Sequence, residues 1–409
     1  MPDLPATARL PGHEVTNQPA PAGDRDLLAG DPALCAHLSA VPGELAGFAR
    51  TLGLAGTRAL GRQAGRHPPE LVAFDAGGRR LDEVHYHPAW HALMTLGLEA
   101  GYAAAPWTGG THETHAAMVY LLSQVEPGTC CPLTMTYAAV PALEIDPALS
   151  ALWRPRLATA AYDPAIAPVA AKRAATMGMA MTEKQGGSDI RATTTAAVPD
   201  GEAYRLTGHK WFCSAPMSDG FLTLAQAPGG LTCFLVPRWL EEGRNAIHLM
   251  RLKDKLGNRA NASAEIEYHG ARAHRLGAEG DGVRTILAMV HHTRLDTAMA
   301  PAGLMRAALV EAHGWVAARR AFGRRLVDQP LMRTVLADLV LDWEGALALG
   351  LRIARAFDAG ERGLARVGVA LAKYLSNKRC PTVIAEAMEM LGGMGYVEDT
   401  PLPMLYREA

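Results

Sequence analysis

A change in hydrophobic period divides the 409-residue sequence into three parts and limits its fold more than any other feature. Across residues 31–176, apolar residues recur at helical spacing, with Pro and Gly at the joints between helices. Residues 178–280 contain short runs typical of strands, and the helical period returns after residue 282. This order of helices, strands and helices predicts an α+β protein of several packed domains.

Individual runs carry this pattern. Four runs bounded by turn residues predict strands in the middle part: 204–212, 221–225, 231–236 and 264–269. Residues 127–143 form the longest uncharged stretch, and since prolines interrupt it, we expect a buried helix rather than a bilayer span. The third part contains an amphipathic helix, whose apolar face would carry Met332, Leu336, Leu339, Trp343 and Leu347.

Composition indicates a folded globular protein and argues against several functional classes. Forty Lys+Arg against 41 Asp+Glu give a formal charge of -1, so nothing global attracts the chain to nucleic acid or an anionic membrane. The six cysteines form no C-x-x-C pair and are too scattered for a disulfide framework, which favours a reducing cytoplasm. Residues 1–30 have neither the basic start nor the apolar core of a signal peptide, and we predict an N-terminal arm there.

The strongest local signal for chemistry is the segment 180–189, at the entry to the middle part. Its adjacent glycines, Gly186 and Gly187, let backbone N–H groups approach a ligand closely. The hydroxyls of Thr182 and Ser188 add donors, which suits a phosphate or the polar edge of a ring. A Gly-Gly turn that binds nothing explains the same residues equally well.

This segment, continued to residue 192, resembles the first signature of the acyl-CoA dehydrogenase family. Residues 208–212, 255–259, 319–323 and 389–396 resemble further elements of that family, in the same order along the chain. Within the family, residues 87–91, 131–136 and 252–262 resemble the AidB-like branch, the flavoproteins of the adaptive response to DNA alkylation.

The resemblance implies the acyl-CoA dehydrogenase fold. After the arm (1–30), we expect an N-terminal α-helical domain (31–177), a middle β-barrel or sandwich domain (178–280) and a C-terminal helical bundle (281–409). AidB-like proteins continue into a basic helical domain implicated in DNA contact, and we expect this sequence to lack that domain. DNA binding by these residues is therefore not supported.

The resemblance also implies an FAD cofactor, held by Met181, Thr182, Gly187, Ser188, Trp211, Phe212, Cys213, Ser214, Arg319 and Phe322. Thr182 would bond the pyrimidine end of the isoalloxazine, and Ser188 would bind nearer the pyrophosphate or the substrate's carbonyl. Trp211 would lie against the ring. Cys213 stands where many members have a Thr near flavin N5, and Ser214 could supply that hydrogen bond instead.

Two of these residues imply an oligomer. Arg319 and Phe322 belong to an Arg-x-x-Phe-Gly element that, in the family, reaches the cofactor of a neighbouring subunit. The active unit would then be a homo-oligomer, expected as a dimer of dimers.

The implied reaction is α,β-dehydrogenation of a short or branched acyl-CoA, and it needs a carboxylate base. The family carries that base on a segment just beyond the equivalent of Glu408, and this sequence ends at Ala409. At a second family location, the residue before Arg294 is Thr293 rather than Glu, and His291 replaces a substrate-contacting Asp. Neither known base position is filled, which leaves Glu408 as a weak candidate that we expect to be solvated and mobile.

Two functions therefore stay open. One is an FAD-dependent acyl-CoA dehydrogenase, with no prediction of its electron acceptor. The other is a catalytically weak or inactive FAD-binding protein of the AidB-like branch. No metal site is predicted: His87 and His91 are four residues apart, but Pro88 follows the first, and we expect capping or packing histidines.

Overall fold

In the computed structural model, which describes residues 7–20 and 22–409, the N-terminal part is mostly helical. Part of the predicted arm, residues 1–6 and 21, lies outside the described residues. The elements of this part are α1 (Pro32–His37), α2 (Gly43–Gly53), α3 (Ala55–Arg66), β1 (Glu70–Phe74), β2 (Arg80–His85), α4 (Pro88–Glu99), α5 (His112–Ser123), α6 (Cys130–Leu143) and α7 (Pro147–Leu157). Helix α6 confirms the buried helix predicted within residues 127–143.

The hairpin β1–β2 is an element that the helical period did not predict. Its strands pair antiparallel, with Glu70 opposite His85. A turn closes it, in which the Asp75 carboxylate accepts hydrogen bonds from the backbone N–H groups of Gly77 and Arg79. The hairpin packs against the middle domain, since the Leu249 N–H donates to Asp82 at 3.0 Å.

The middle part is a β domain, as predicted. Its strands are β3 (Met177–Ala180), β4 (Ala196–Asp200), β5 (Ala203–Ser214), β6 (Gly220–Ala227), β7 (Gly230–Pro237), β8 (Trp239–Leu240), β9 (Gly243–Arg244), β10 (Ile247–Leu252) and β11 (Ser263–Leu276). Strands β11, β5, β4, β6 and β7 pair in that order, and β7 pairs again with β11. The sheet therefore closes into a barrel. Two further strands pair with it from outside the closed ring, β3 with β6 and β10 with β11.

The C-terminal part is helical. Its elements are α8 (Gly282–Ala318), β12 (Arg320–Ala321), β13 (Arg324–Arg325), α9 (Pro330–Asp358), α10 (Arg362–Met390) and α11 (Leu402–Glu408). Helix α9 confirms the predicted amphipathic helix, with Leu339, Trp343 and Leu347 buried. Helix α8 has 37 residues and is therefore about 55 Å long. It begins against the barrel, where a Cβ on Gly282 would lie 2.7 Å from the Leu231 carbonyl oxygen.

A buried hydrogen-bond network joins the first helical part to α8. The His115 side chain is 0% exposed, and its Nε2 lies 2.7 Å from the Asp296 carboxylate on α8. The other ring nitrogen, Nδ1, lies 2.7 Å from the Tyr102 carbonyl, so both ring nitrogens face acceptor oxygens. Thr134 of α6 donates to the second Asp296 oxygen at 2.5 Å. Three segments are thus held together by groups that are hydrogen-bonded without water.

Helices α9 and α10 leave apolar side chains in solvent. The most exposed of these are Leu331, Leu341, Val367, Leu371, Tyr374 and Leu375. Among the described residues, no helix has the length and apolar character needed to cross a membrane.

Candidate functional site

The segment after β3 and the end of β5 meet at one edge of the barrel. The Trp211 N–H donates to the Thr182 carbonyl at 2.7 Å, which places Met181 and Thr182 beside Trp211 and Phe212. Within the described chain, the hydroxyls of Thr182 and Ser188 make no hydrogen bond to protein, although the neighbouring Lys184 and Gln185 do. Two hydroxyl donors at this edge are therefore free to bind a ligand.

The two adjacent glycines shape this edge. Gly186 has a φ of +143°, which side chains rarely adopt, and a Cβ on Gly187 would lie 2.5 Å from Thr182 Oγ1. A larger residue at 187 would displace the Thr182 hydroxyl. The turn therefore requires glycine in order to keep that hydroxyl in place.

A buried ion pair anchors the same turn from below. Glu183 and Lys210 are 1% and 0% exposed, and the Lys210 Nζ lies 2.8 Å from Glu183 Oε1. The carboxylate also accepts hydrogen bonds from the backbone N–H groups and hydroxyls of Thr194 and Thr195. Burial alone would raise the pKa of Glu183, but Lys210 and the threonine donors outweigh burial and lower that pKa. Glu183 is therefore charged, both of its carboxylate oxygens accept hydrogen bonds, and it holds the adjacent Thr182 backbone in place.

The predicted residues at the end of β5 face different environments. Phe212 is 44% exposed, and the Lys253 Nζ lies 3.2 Å from the Trp211 ring centroid. Cys213 is 1% exposed in the barrel core, and burial raises the pKa of its thiol. Ser214 is partly exposed, with its Oγ 3.3 Å from the Ser263 hydroxyl. Of the adjacent pair, Ser214 rather than Cys213 faces outward from the core.

Arg319 and Phe322 belong to a different part of the same chain. They follow the end of α8, whose beginning contacts the barrel about 55 Å away. Phe322 is 97% exposed with a φ of +52°, at the turn between β12 and β13. Arg319 donates to the Asn17 carbonyl at 3.0 Å, so the arm supports this hairpin. The predicted site residues therefore fall into two separate groups within one subunit.

Glu408 is not solvated and mobile, which corrects the expectation from its position in the sequence. The side chain is half-buried, and its carboxylate accepts a hydrogen bond of 2.6 Å from the Asn258 N–H. Burial, reinforced by the nearby Glu126 carboxylate, raises the pKa of Glu408 to about 7. Gly257 makes this approach possible, because a Cβ there would lie 2.0 Å from the Arg407 carbonyl oxygen.

Sequence reasoning missed the charged residues beneath the site. Besides Glu183 and Lys210, it missed Lys255, whose Nζ donates to the Asn261 carbonyl at 2.7 Å and to Ser263 Oγ at 3.1 Å. The sequence offers no signal for the burial of Lys210, because this lysine stands between His209 and Trp211 in the predicted strand. Its partner Glu183 could not be found from spacing.

The histidines behave as predicted. His87 caps α4, because its Nδ1 accepts from the Ala89 N–H at 3.2 Å, and His91 Nδ1 lies 2.9 Å from the Tyr162 hydroxyl. In the described part of the chain, no three or more His, Cys, Asp or Glu side chains are grouped so that they could hold a metal ion.

This barrel between two helical parts, with a hydroxyl-lined edge, is the architecture of acyl-CoA dehydrogenases. The sequence matches the family described as "Adaptive response protein AidB N-terminal domain" over residues 17–164. It matches "Acyl-CoA dehydrogenase, middle domain" over residues 178–271 and "Acyl-CoA dehydrogenase, C-terminal domain" over residues 280–409. The chain belongs to the acyl-CoA dehydrogenase family, in its AidB-like branch.

Individual relatives give the extent of this similarity. The chain is 47% identical to Escherichia coli (strain K12) AidB, over 97% of this chain and 76% of that protein. It is 34% identical to acyl-CoA dehydrogenase family member 11 of Caenorhabditis elegans, over 86% of this chain and 60% of that protein. The structure of C. elegans ACDH-11 in complex with C11-CoA superposes with a TM-score of 0.87 at 30% identity, covering 98% of this chain and 72% of that one.

Proposed function

We propose that the chain is an FAD-dependent acyl-CoA dehydrogenase that acts on a short or branched acyl thioester. The observation that carries this proposal is the barrel edge, where Thr182 is hydrogen-bonded through its carbonyl to Trp211, next to the exposed ring of Phe212. An aromatic surface flanked by hydroxyl donors suits a flat ring with polar edges. The acyl-CoA dehydrogenase relatives and the family's solved structures support the same reaction class.

The residues present fit a flavin. Gly187 has no space for a Cβ beside Thr182, so the Thr182 hydroxyl and the Met181 backbone would hold the pyrimidine edge. Ser188 would bind towards the pyrophosphate. Phe212 and Trp211 would cover the ring, and Ser214 would donate near N5, in place of the buried Cys213 thiol.

When bound, FAD supplies the hydride acceptor for the β-carbon of the substrate. The Thr182 and Ser214 donors would favour negative charge at the edge of a bound ring, because the protein holds them in place. The Glu183–Lys210 pair keeps the Thr182 backbone in position during the reaction. Glu408 is the candidate acceptor for the substrate's α-proton, since its raised pKa suits a general base.

The second group of predicted residues supports a homo-oligomer. Arg319 and Phe322 would complete the cofactor site of a neighbouring subunit, because they follow the end of α8 opposite the end that contacts the barrel. The exposed apolar side chains of α9 and α10 supply a surface for a dimer of dimers. We place this assembly in the cytoplasm, with acyl-CoA as its small-molecule partner.

One observation favours the alternative, a weak or inactive FAD-binding protein of the AidB-like branch. The Glu408 carboxylate already accepts a 2.6 Å hydrogen bond from the Asn258 N–H. A carboxylate engaged in holding a loop is less able to approach a substrate proton. The alternative keeps the flavin contacts of the first proposal and removes only the dehydrogenation.

An anaerobic titration of the purified protein with isovaleryl-CoA and butyryl-CoA separates the two functions. Bleaching of the visible flavin band supports dehydrogenation, whereas a bound flavin that does not bleach supports the alternative. Loss of flavin in Gly187→Ala, whose Cβ would meet Thr182, tests the proposed cofactor edge. Gly345→Ala is the matched control, because a Cβ there meets nothing within 4 Å. A protein that holds no flavin at all contradicts both functions.

A further inference from the structure

A small cavity lies where α3, α11 and the loop between β10 and β11 meet. Its volume is about 270 Å³, and four arginines line it: Arg62 and Arg66 from α3, Arg259 from the loop and Arg407 from α11. We call it the arginine cavity. None of the residues proposed for the cofactor lines it, and neither does Glu408. Its chemistry is therefore separate from that of the site described above.

The lining of the arginine cavity is strongly positive. Among the described residues that line it, one is acidic, Glu398, and no lysine or histidine is present. The Glu398 carboxylate accepts hydrogen bonds from Arg407 at 2.6 and 3.2 Å. These hydrogen bonds lower the pKa of Glu398, and the charges of Arg66 and Arg259 lower that pKa further, so three arginines surround one carboxylate. Four guanidinium groups and one carboxylate leave an excess of three positive charges.

Two of the four guanidinium groups are free to bind an anion. Only Arg66 and Arg407 donate hydrogen bonds to residues that the structure describes, and both donate to Glu398. Arg62 is half-buried and Arg259 is exposed, so small solutes can reach both side chains. Arg62 lies four positions before Arg66, which places the two on one face of α3. The helix α3, the loop and α11 thus bring cationic donors to one cavity.

The surroundings of the arginine cavity do not cancel this charge. The cavity adjoins a larger groove of about 770 Å³, and the two share Arg62, Thr400 and Met404. The other charged residues of the groove are three arginines and three acidic residues: Arg25, Arg58, Arg306, Asp26, Glu311 and Asp399. Their formal charges sum to zero. The excess of positive charge therefore belongs to the arginine cavity itself.

We propose that the arginine cavity binds a small polyanion of the pyrophosphate type. Guanidinium groups bind phosphate oxygens through paired N–H donors, and a multiply charged anion matches an excess of three positive charges. Arg62 and Arg259 donate to the phosphate oxygens, while Arg66 and Arg407 add charge and hold Glu398. A cavity of about 270 Å³ suits a small anion, whereas a nucleic-acid duplex needs an extended basic surface. This site does not depend on the proposed reaction.

Calorimetric titration with pyrophosphate at low ionic strength tests the site, with acetate as a probe of single charge. We expect pyrophosphate to bind at least about tenfold more tightly than acetate, and added salt to weaken its binding, because the attraction is electrostatic. Equal binding of the two probes, or no binding of pyrophosphate, overturns the proposal. So does a short DNA duplex that binds through the same arginines and is not displaced by pyrophosphate, since that result assigns the surface to nucleic acid.

Substitutions in the lining separate a binding role from a structural one. Arg62→Gln and Arg259→Gln should each weaken pyrophosphate binding by about tenfold and leave the melting temperature unchanged. Glu398→Gln removes the carboxylate of the described lining, so it should tighten pyrophosphate binding by about threefold, which damage to the fold would not do. Arg284→Gln is the matched control, because Arg284 is exposed and lies outside this cavity, and affinity should not change. Unchanged affinity in both cavity arginine variants, or weaker binding in Glu398→Gln, would contradict the proposal.

Discussion

Replacing Glu183 by Gln tests whether the buried pair with Lys210 supports the proposed cofactor edge. Gln fills the same space, and its amide oxygen can still accept from Lys210, but the ammonium loses its counter-charge and the amide NH2 faces the donors of Thr194. Breaking a fully buried pair by removing one partner costs about 3–5 kcal/mol, because the other charge is left uncompensated. We expect Glu183→Gln to lose about this much free energy of unfolding. FAD affinity should fall too, since Thr182 adjoins Glu183.

Urea unfolding followed by fluorescence measures the loss, and a second variant supplies the control. Lys210→Met alone leaves the Glu183 carboxylate without its cation and should cost a similar amount. The double variant removes both charges, so it should cost clearly less than the sum of the single changes. If Glu183→Gln costs under about 1 kcal/mol, or if the two changes simply add, the pair is not the support that we infer.

Three further results are expected. Glu408→Gln should remove a pH dependence of the free energy of unfolding. Because the folded pKa of Glu408 is raised to about 7, the contribution of Glu408 to stability is complete below the unfolded pKa near 4.3 and is lost as pH rises to 7. Wild type should thus lose about 2 kcal/mol relative to this variant between pH 5 and 8 in urea titrations, and parallel pH profiles would refute the assignment. Arg319→Ala should lower both the FAD occupancy of the purified protein and the oligomer mass that light scattering measures. Unchanged FAD occupancy means that Arg319 does not reach a neighbour's cofactor. Gly257→Ala should cost about 1–3 kcal/mol in thermal unfolding, because its Cβ would strike the Arg407 carbonyl, and a neutral effect would show that α11 shifts freely.

Local periodicity predicted most of the fold, because apolar residues recur at different spacings in strands and in helices. The four predicted strand runs lie within β5, β6, β7 and β11. The β1–β2 hairpin escaped prediction, since its strands are five and six residues long and lie among helices. Closure of the barrel depends on β7 pairing with both β6 and β11, which is a matter of three-dimensional register.

The candidate site was predictable only in part. The motif 180–189 and the end of β5 were found because glycines and hydroxyls with those spacings resemble a known signature. Glu183 and Lys210 act through a contact between residues 27 positions apart in sequence, so no local spacing reveals them. Side chains alternate between the two faces of a strand, but the sequence does not show which face of β5 lines the barrel interior. The inward direction of Cys213 therefore became clear only in the structure.

The His115–Asp296 contact has a consequence for how the protein unfolds. It ties a histidine of α5 to an aspartate of α8, 181 positions away, with neither side chain reached by water. A fragment of residues 31–177 produced alone would keep the Tyr102 carbonyl beside Nδ1 but would leave Nε2 without its carboxylate partner. Sequence segments that look like independent modules thus form one cooperative folding unit, and calorimetry should record a single transition instead of stepwise melting.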